Sequence, residues 1–375
     1  MDRSLAVRVP RRRAACLKAG RALTRDPFFA RPCRSSLIGP PVDYRSGNRT
    51  AVDTSRTGGE LGPLLEIGTS LDAFQPYPHD RPEWTDAVWF AAYVPEQALS
   101  AYVYQWFRPA LGIYGGGCIV WQRTTAVPWD AALFQYDVNR PIPGALRLQA
   151  LSLDNGTSIT SLREGGEYLV RFQNARALLE FRFEALTTPH VTTRGAAGDF
   201  FAGHLDQAGW CTGSIEIEGR RQAIDAYGVR DRSWGPRVIR DDVRLGYFHG
   251  GSRRQCFLGF CHSGRPSQPV FNGYLSIDGH RETVSRGARN VQYIDGRLER
   301  ITFDIEDCAG RALHASGVPL NELAYTPYPN LLSRHYLMRW DIGGELVYGE
   351  EQDLWSLPLW REHRRAHAGT GSVPE

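Results

Sequence analysis

Lysine is almost missing from this chain: Lys18 is the only one, and every other basic residue is arginine. A GC-rich coding sequence accounts for that bias, and it carries no functional reading. Paired cysteines are missing too. Cys16, Cys33, Cys118, Cys211, Cys256, Cys261 and Cys308 form no Cys-x-x-Cys pair. Their odd number and scattered spacing argue against a zinc site or a disulfide framework. They read as reduced thiols, which suits a cytoplasmic location. No apolar run approaches the ~20 residues that a membrane helix needs. Arg11-Arg12-Arg13 is followed by no apolar block, so the start is not a secretory signal. Nor is there a Gly-x-Gly-x-x-Gly opening a helix, a P-loop, a nucleophile elbow or a His-Glu-x-x-His. These absences weigh against nucleotide, zinc-protease and serine-hydrolase chemistry, and no metal or cofactor is expected.

The net charge of +3 hides an uneven distribution. The first sixty residues carry a net +8, and the rest of the chain is mildly acidic at −5. A nucleic-acid surface needs a clustered basic face, which the body lacks, so no nucleic-acid partner is expected. Residues 1–65 read as a disordered Arg-rich leader outside the fold.

What the chain does have is period two. Leu179, Phe181 and Phe183 alternate with Glu180, Arg182 and Glu184; Ile301, Phe303 and Ile305 alternate with Thr302, Asp304 and Glu306. Tyr168, Val170 and Phe172, and then Ile215 and Ile217, repeat the pattern. Alternate residues of a strand face opposite sides, so these segments predict antiparallel strands with one wet face and one buried face. Asp278-Gly279 and Asp295-Gly296 predict hairpin turns, and Gly343-Gly344 a further turn. Gly115-Gly116-Gly117 reads as a hairpin turn rather than a phosphate cradle. Helical periodicity is scarce. The expected fold is all-β, a sandwich or barrel. A Gly-containing linker at 187–203 divides it into halves of roughly 70–195 and 200–362, followed by a frayed tail over 363–375.

Three segments could carry chemistry. The densest is Ala226–Arg237, which packs Tyr227, Arg230, Asp231, Arg232, Ser233, Trp234 and Arg237 together. On an extended strand Asp231 and Ser233 share one face, and Arg230, Arg232 and Trp234 the other. An Asp inside an aromatic-lined barrel would be desolvated and its pKa raised, making it an acid for an apolar substrate. The competing reading is a buried Asp–Arg pair that fastens strands. His204-x-Asp206 is either a His–carboxylate dyad or a surface pair. Glu350-Glu351-x-Asp353 before Trp355 reads as a strand-end ion pair, and His249 as a satisfied core residue.

With these residues in view, the chain resembles the hydroxyneurosporene synthase (carotenoid 1,2-hydratase) superfamily. The match runs through His204-x-Asp206-Gln207, Gly213 and Gly228-x-Arg230-Asp231-x-Ser233-Trp234-Gly235-x-Arg237. Trp84-x-Asp86 with Trp89, Gly273-Tyr274 and Gly349-Glu350 extend it. Many relatives have His after that Asp, where this chain has Arg232. The resemblance implies two tandem lipocalin-like β domains. It also implies a cofactor-independent enzyme on a hydrophobic isoprenoid, steroid or polyketide-like molecule, by hydration, cyclisation or isomerisation. Asp231, His204 and Asp206 would then be catalytic, and Tyr227, Arg230, Ser233, Trp234 and Arg237 would bind substrate. A non-catalytic carrier of a hydrophobic ligand is the alternative.

Overall fold

The computed structural model describes residues 65–367 apart from 66, 69, 126, 194–200, 263–266 and 295–296. Nearly all of the expected leader, the Asp295-Gly296 turn and the end of the expected tail lie outside the described residues.

The expected alternation is observed. In the strand Ala177–Ala185, Leu179, Phe181 and Phe183 are buried, while Glu180, Arg182 and Glu184 are exposed. Asp278-Gly279 forms a two-residue hairpin with positive φ at both residues, 49° and 80°, the backbone that matches the right-handed twist of the flanking strands. Gly343-Gly344 does the same at 62° and 93°.

Two sheets result. In the first, the hydrogen-bonded order is Leu133–Pro141, Ile113–Trp121, Leu99–Arg108, Trp84–Val94, Arg220–Pro236, Gly203–Ile217, Ala177–Ala185, Glu167–Gln173, Thr157–Arg163 and Ala150–Ser152. His190–Thr193 adds to Gly203–Ile217. This sheet curls around one apolar core that includes Val88, Phe90, Phe107, Phe181 and residues of both its edge strands, Leu133 and Leu151. The second sheet runs Arg244–Gly251, Gln255–Cys261, Ser267–Ile277, His280–Ile294, Arg297–Asp307, Ala312–Pro319, Leu331–Ile342 and Glu345–Ser356. The last strand pairs back with the first, which closes an eight-stranded barrel. Its interior is filled by Phe248, Phe257, Phe303 and Trp340. The fold is all-β, two-domain and lipocalin-like, as expected.

Four expectations are corrected. Gly203–Ile217 and Arg220–Pro236 pair into the first sheet, so the chain passes between sheets at 237–243 and not at 187–203. Gly115, Gly116 and Gly117 lie inside the strand Ile113–Trp121, not at its turn. There the absent side chains admit neighbours: a Cβ on Gly115 would sit 2.2 Å from the Trp106 ring, and one on Gly116 2.0 Å from the Tyr104 carbonyl oxygen. Residues 357–367 form a helix, with Trp360 and His363 packed on Trp355. Of the described cysteines, Cys118, Cys211, Cys256 and Cys261 are buried free thiols, whereas Cys308 is disulfide-bonded, against the expectation of a wholly reduced set.

A third apolar layer lies between the sheets. Trp89, Tyr93, Tyr102, Trp121 and Tyr227 of the first meet Tyr247, Leu258, Phe260, Tyr325 and Leu337 of the second. Where a strand is covered by both this layer and the first core it is buried on both faces, and Trp84–Val94 shows it with ten of its eleven residues buried. Charges on such strands need partners. Arg232 binds Asp86 and the carbonyl oxygens of Leu71 and Ala73; Arg230 binds Asp72 at 2.8 Å and Gln207. In the barrel, Arg289 binds Glu351 and lies 3.3 Å from Asp353.

Breaking one of these pairs leaves an uncompensated buried charge. Arg232→Met should lower the unfolding free energy by about 3–5 kcal/mol, read from urea denaturation. A loss below about 1 kcal/mol would show that the pair fastens nothing.

Candidate functional site

The site is built from one row of residues across four paired strands of the first sheet. Tyr104 is the register partner of Trp89, Trp89 of Asp231, and Asp231 of Asp206. In the adjoining row His204 is the partner of Ser233. These side chains belong to the face that meets the second sheet. A cavity of about 120 Å³ opens there, lined by Trp89, Tyr104, His204, Asp231, Ser233 and Arg237 from the first sheet side. Tyr247, Phe260, Tyr325, Ser333, His335 and Gln352 line it from the second. Asp231 thus faces a cavity between two sheets and not the inside of a barrel.

Alternation sorts the remaining candidates. Arg230 and Trp234, expected to bind substrate, do not line the cavity, because even-numbered residues of Arg220–Pro236 point into the first sheet's own core side. There Arg230 also stacks on Tyr168, 4.4 Å from the ring centroid. Tyr227 shares the face of Asp231, but its hydroxyl lies 3.3 Å from His249 Nδ1 and it does not reach the cavity lining. His249 is fully buried, and burial lowers its pKa to about 3, so it is a neutral hydrogen-bonding group. Ser233 accepts a hydrogen bond from Arg237 at 2.6 Å.

His204 Nε2 lies 2.9 Å from Asp206 Oδ1, which also accepts the Tyr247 hydroxyl at 2.9 Å. The His204 ring is stacked on Phe201 and meets Phe260 edge-on. His204 Nδ1 and Asp206 Oδ2 are buried without a hydrogen-bond partner. The dyad is therefore a buried one, not a surface pair. Asp231 forms no ion pair among the described residues, which separates it from Asp72 and Asp86.

Two carboxylates directly opposite each other cannot both ionise cheaply. Burial pushes the Asp231 carboxyl up, and the Asp206 and Glu350 charges add to that, against the pull of His204 and Arg237; it titrates near 7. Burial alone would lower the His204 pKa, but the charge and hydrogen bond of Asp206, with the charge of Asp231, raise it above the ordinary value. The two groups share protons as one coupled system. Atoms of His204, Asp206 and Asp231 capable of ligating a metal all lie within 4.8 Å of one another, so this trio is also where a cation could be held.

Sequence reading missed the opposite wall. Tyr247 carries no motif, but Ser333-Arg334-His335 repeats the i, i+2 spacing of His204-x-Asp206, a signal that was available.

A raised carboxyl pKa has a defined effect on stability. The protonated form suits the folded state, so the contribution of Asp231 is complete below its unfolded value of 3.8 and is lost as pH rises through about 7. His204, also raised, acts with the same sign above pH 6.5. Asp231→Asn should flatten the stability profile between pH 4 and 7. Above pH 7 it should exceed the wild type, by about 2–4 kcal/mol at pH 8. Urea denaturation at pH 5, 6, 7 and 8 checks this, and a profile parallel to the wild type would refute the assignment.

Crystal structures of known proteins share this fold. An AttH protein from Nitrosomonas europaea aligns with a TM-score of 0.50 at 13% identity, covering 78% of this chain and 98% of that one. CghA aligns with a TM-score of 0.50 at 12% identity, over 79% and 96%; its structure with Sch210972 matches equally, over 78% and 94%. Kievitone hydratase from Nectria haematococca aligns at 0.46 and 11% identity, over 78% and 94%. No curated protein matches significantly. The tandem lipocalin-like fold implied by the resemblance is the fold shared with AttH and CghA. Residues 71–350 match a single family model, and the chain belongs to that family, DUF7064, a domain of unknown function.

Proposed function

We propose that the chain is an enzyme that moves protons to and from a hydrophobic small molecule held between the two sheets, using side chains alone. The observation that carries this is Asp231: a carboxyl titrating near 7, in a cavity walled by Trp89, Tyr104, Tyr247 and Phe260. At neutral pH such a group is substantially protonated and is matched to general-acid work. Asp231 protonates an alkene or carbonyl carbon framework. The indole and phenol faces stabilise the cation that forms. His204, held by Asp206, takes the proton lost in isomerisation or from water added in hydration. A structure of CghA with Sch210972, on the shared fold, supports a ligand-binding reading. The cavity, at about 120 Å³, is of a size for one ring or a short chain end, so the rest of an isoprenoid, steroid or polyketide-like substrate extends outward.

The spacing of His204, Asp206 and Asp231 favours a second reading, in which the trio holds a divalent cation that polarises the substrate.

One experiment separates the readings. Ligands of the three classes are screened by quenching of intrinsic tryptophan fluorescence, and binders are incubated with the protein in deuterium oxide. Mass spectrometry should show deuterium at carbon, with the rate falling at least ~100-fold in Asp231→Asn and in His204→Ala. Binding without exchange would make the protein a carrier. Exchange unchanged in both variants would remove the site assignment. Stoichiometric metal in the purified protein, lost in Asp231→Asn, would establish the cation reading instead.

A further inference from the structure

The opposite wall of the cavity holds a second, separate relay. Ser333 and His335 lie two residues apart on the strand Leu331–Ile342, so both face the cavity. Ser333 Oγ lies 2.7 Å from His335 Nε2. His335 Nδ1 makes a short contact with Glu350 Oε1, which comes from the paired strand Glu345–Ser356. The other carboxylate oxygen, Oε2, accepts the hydroxyl of Tyr93 from the first sheet. All three residues are buried, at 1%, 5% and 0% exposure.

The chemistry of the acceptors fixes the protons. An ionised Glu350 only accepts, and with it His335 carries its proton on Nδ1. Nε2 is then left as the acceptor for the Ser333 hydroxyl. This is the order of roles in a serine–histidine–acid nucleophile, here built on strands without a sharp turn at the serine. Tyr102 and Tyr325 line the same cavity with rings 5.8 and 5.5 Å from the His335 ring, and burial holds their phenols protonated as donors.

We propose that Ser333 is an activated nucleophile, relayed through His335 to Glu350, and that the chain cleaves small apolar carboxylic esters there. His335 Nε2 takes the hydroxyl proton as Ser333 Oγ attacks the ester carbonyl carbon. The adduct collapses, and the leaving alkoxide takes that proton from His335 to depart as the alcohol. Water, deprotonated by His335, then attacks the acyl-serine. The carboxylic acid leaves, and the proton returns to Ser333 Oγ. A phenolic donor on the wall, from Tyr102 or Tyr325, faces the developing oxyanion. This activity goes beyond the proton chemistry assigned to Asp231 and needs no knowledge of that substrate.

The test is labelling with an alkyl fluorophosphonate, read by intact mass and peptide mapping, alongside hydrolysis of p-nitrophenyl butyrate. One adduct should form, on Ser333. Labelling should vanish in Ser333→Ala and slow at least ~100-fold in His335→Gln, and ester turnover in Ser333→Ala should fall at least ~1000-fold. Should His335→Gln fail to fold, Ser333→Cys keeps the test open: it should refuse the fluorophosphonate and take iodoacetamide. No adduct on folded wild-type protein, an adduct on Ser233 or elsewhere, or turnover unchanged in Ser333→Ala would each overturn the proposal. None of these outcomes bears on Asp231, whose test is carbon–deuterium exchange.

Discussion

Burial on both faces of Ala226–Ser233, the middle of the strand Arg220–Pro236, is the constraint on which the rest of this molecule depends. It lies between Trp84–Val94 and Gly203–Ile217, with its own sheet's core on one side and the second sheet on the other. Every charge it carries must be answered on its own side, because a lone buried charge costs several kcal/mol. On the core side, Arg230 and Arg232 are answered by Asp72 and Asp86. On the cavity side, Asp231 faces Asp206 with no arginine ion pair among the described residues. A carboxyl in that position lowers its energy by keeping its proton, which is what suits it to deliver one.

The layer between the sheets turns this local constraint into a site. Polar ties cross it at several points: Tyr247 to Asp206, Tyr93 to Glu350, Tyr104 to Tyr328 at 2.8 Å, and the Trp121 indole N–H to Asn321 at 2.9 Å. Each tie satisfies a buried polar group and sets the position of one wall against the other. Rigid strands with locked second partners hold reacting groups better than loops do. Among the described residues no helix is long and apolar enough to cross a membrane.

The fold was readable because its signal is local. Leu179, Phe181 and Phe183 against Glu180, Arg182 and Glu184 need only the pleat of a single strand to be interpreted, and Asp278-Gly279 only the backbone of a single turn. The same period correctly split Asp231 and Ser233 from Arg230, Arg232 and Trp234. It also divides Glu350 from Glu351 and Asp353, a division left unread in the sequence. Glu350 faces the layer between the sheets, where it meets Tyr93 and His335, while Glu351 and Asp353 face the barrel and Arg289. Gly115 to Gly117 misled because glycine serves two needs, a turn or close approach by a ring, and only the position of Trp106 decides between them.

From its own residues the chain determined that it would form antiparallel strands, and which side chains would share a face, since both follow from bond geometry within a few residues. It did not determine what each face would meet. The passage between sheets at 237–243, the row Tyr104–Trp89–Asp231–Asp206, and Ser333 and His335 standing on the wall opposite all arise from pairing between segments far apart in the chain. A free energy of burial, not a local preference, selects those partners. The titration of Asp231 was therefore settled only when the second sheet covered it.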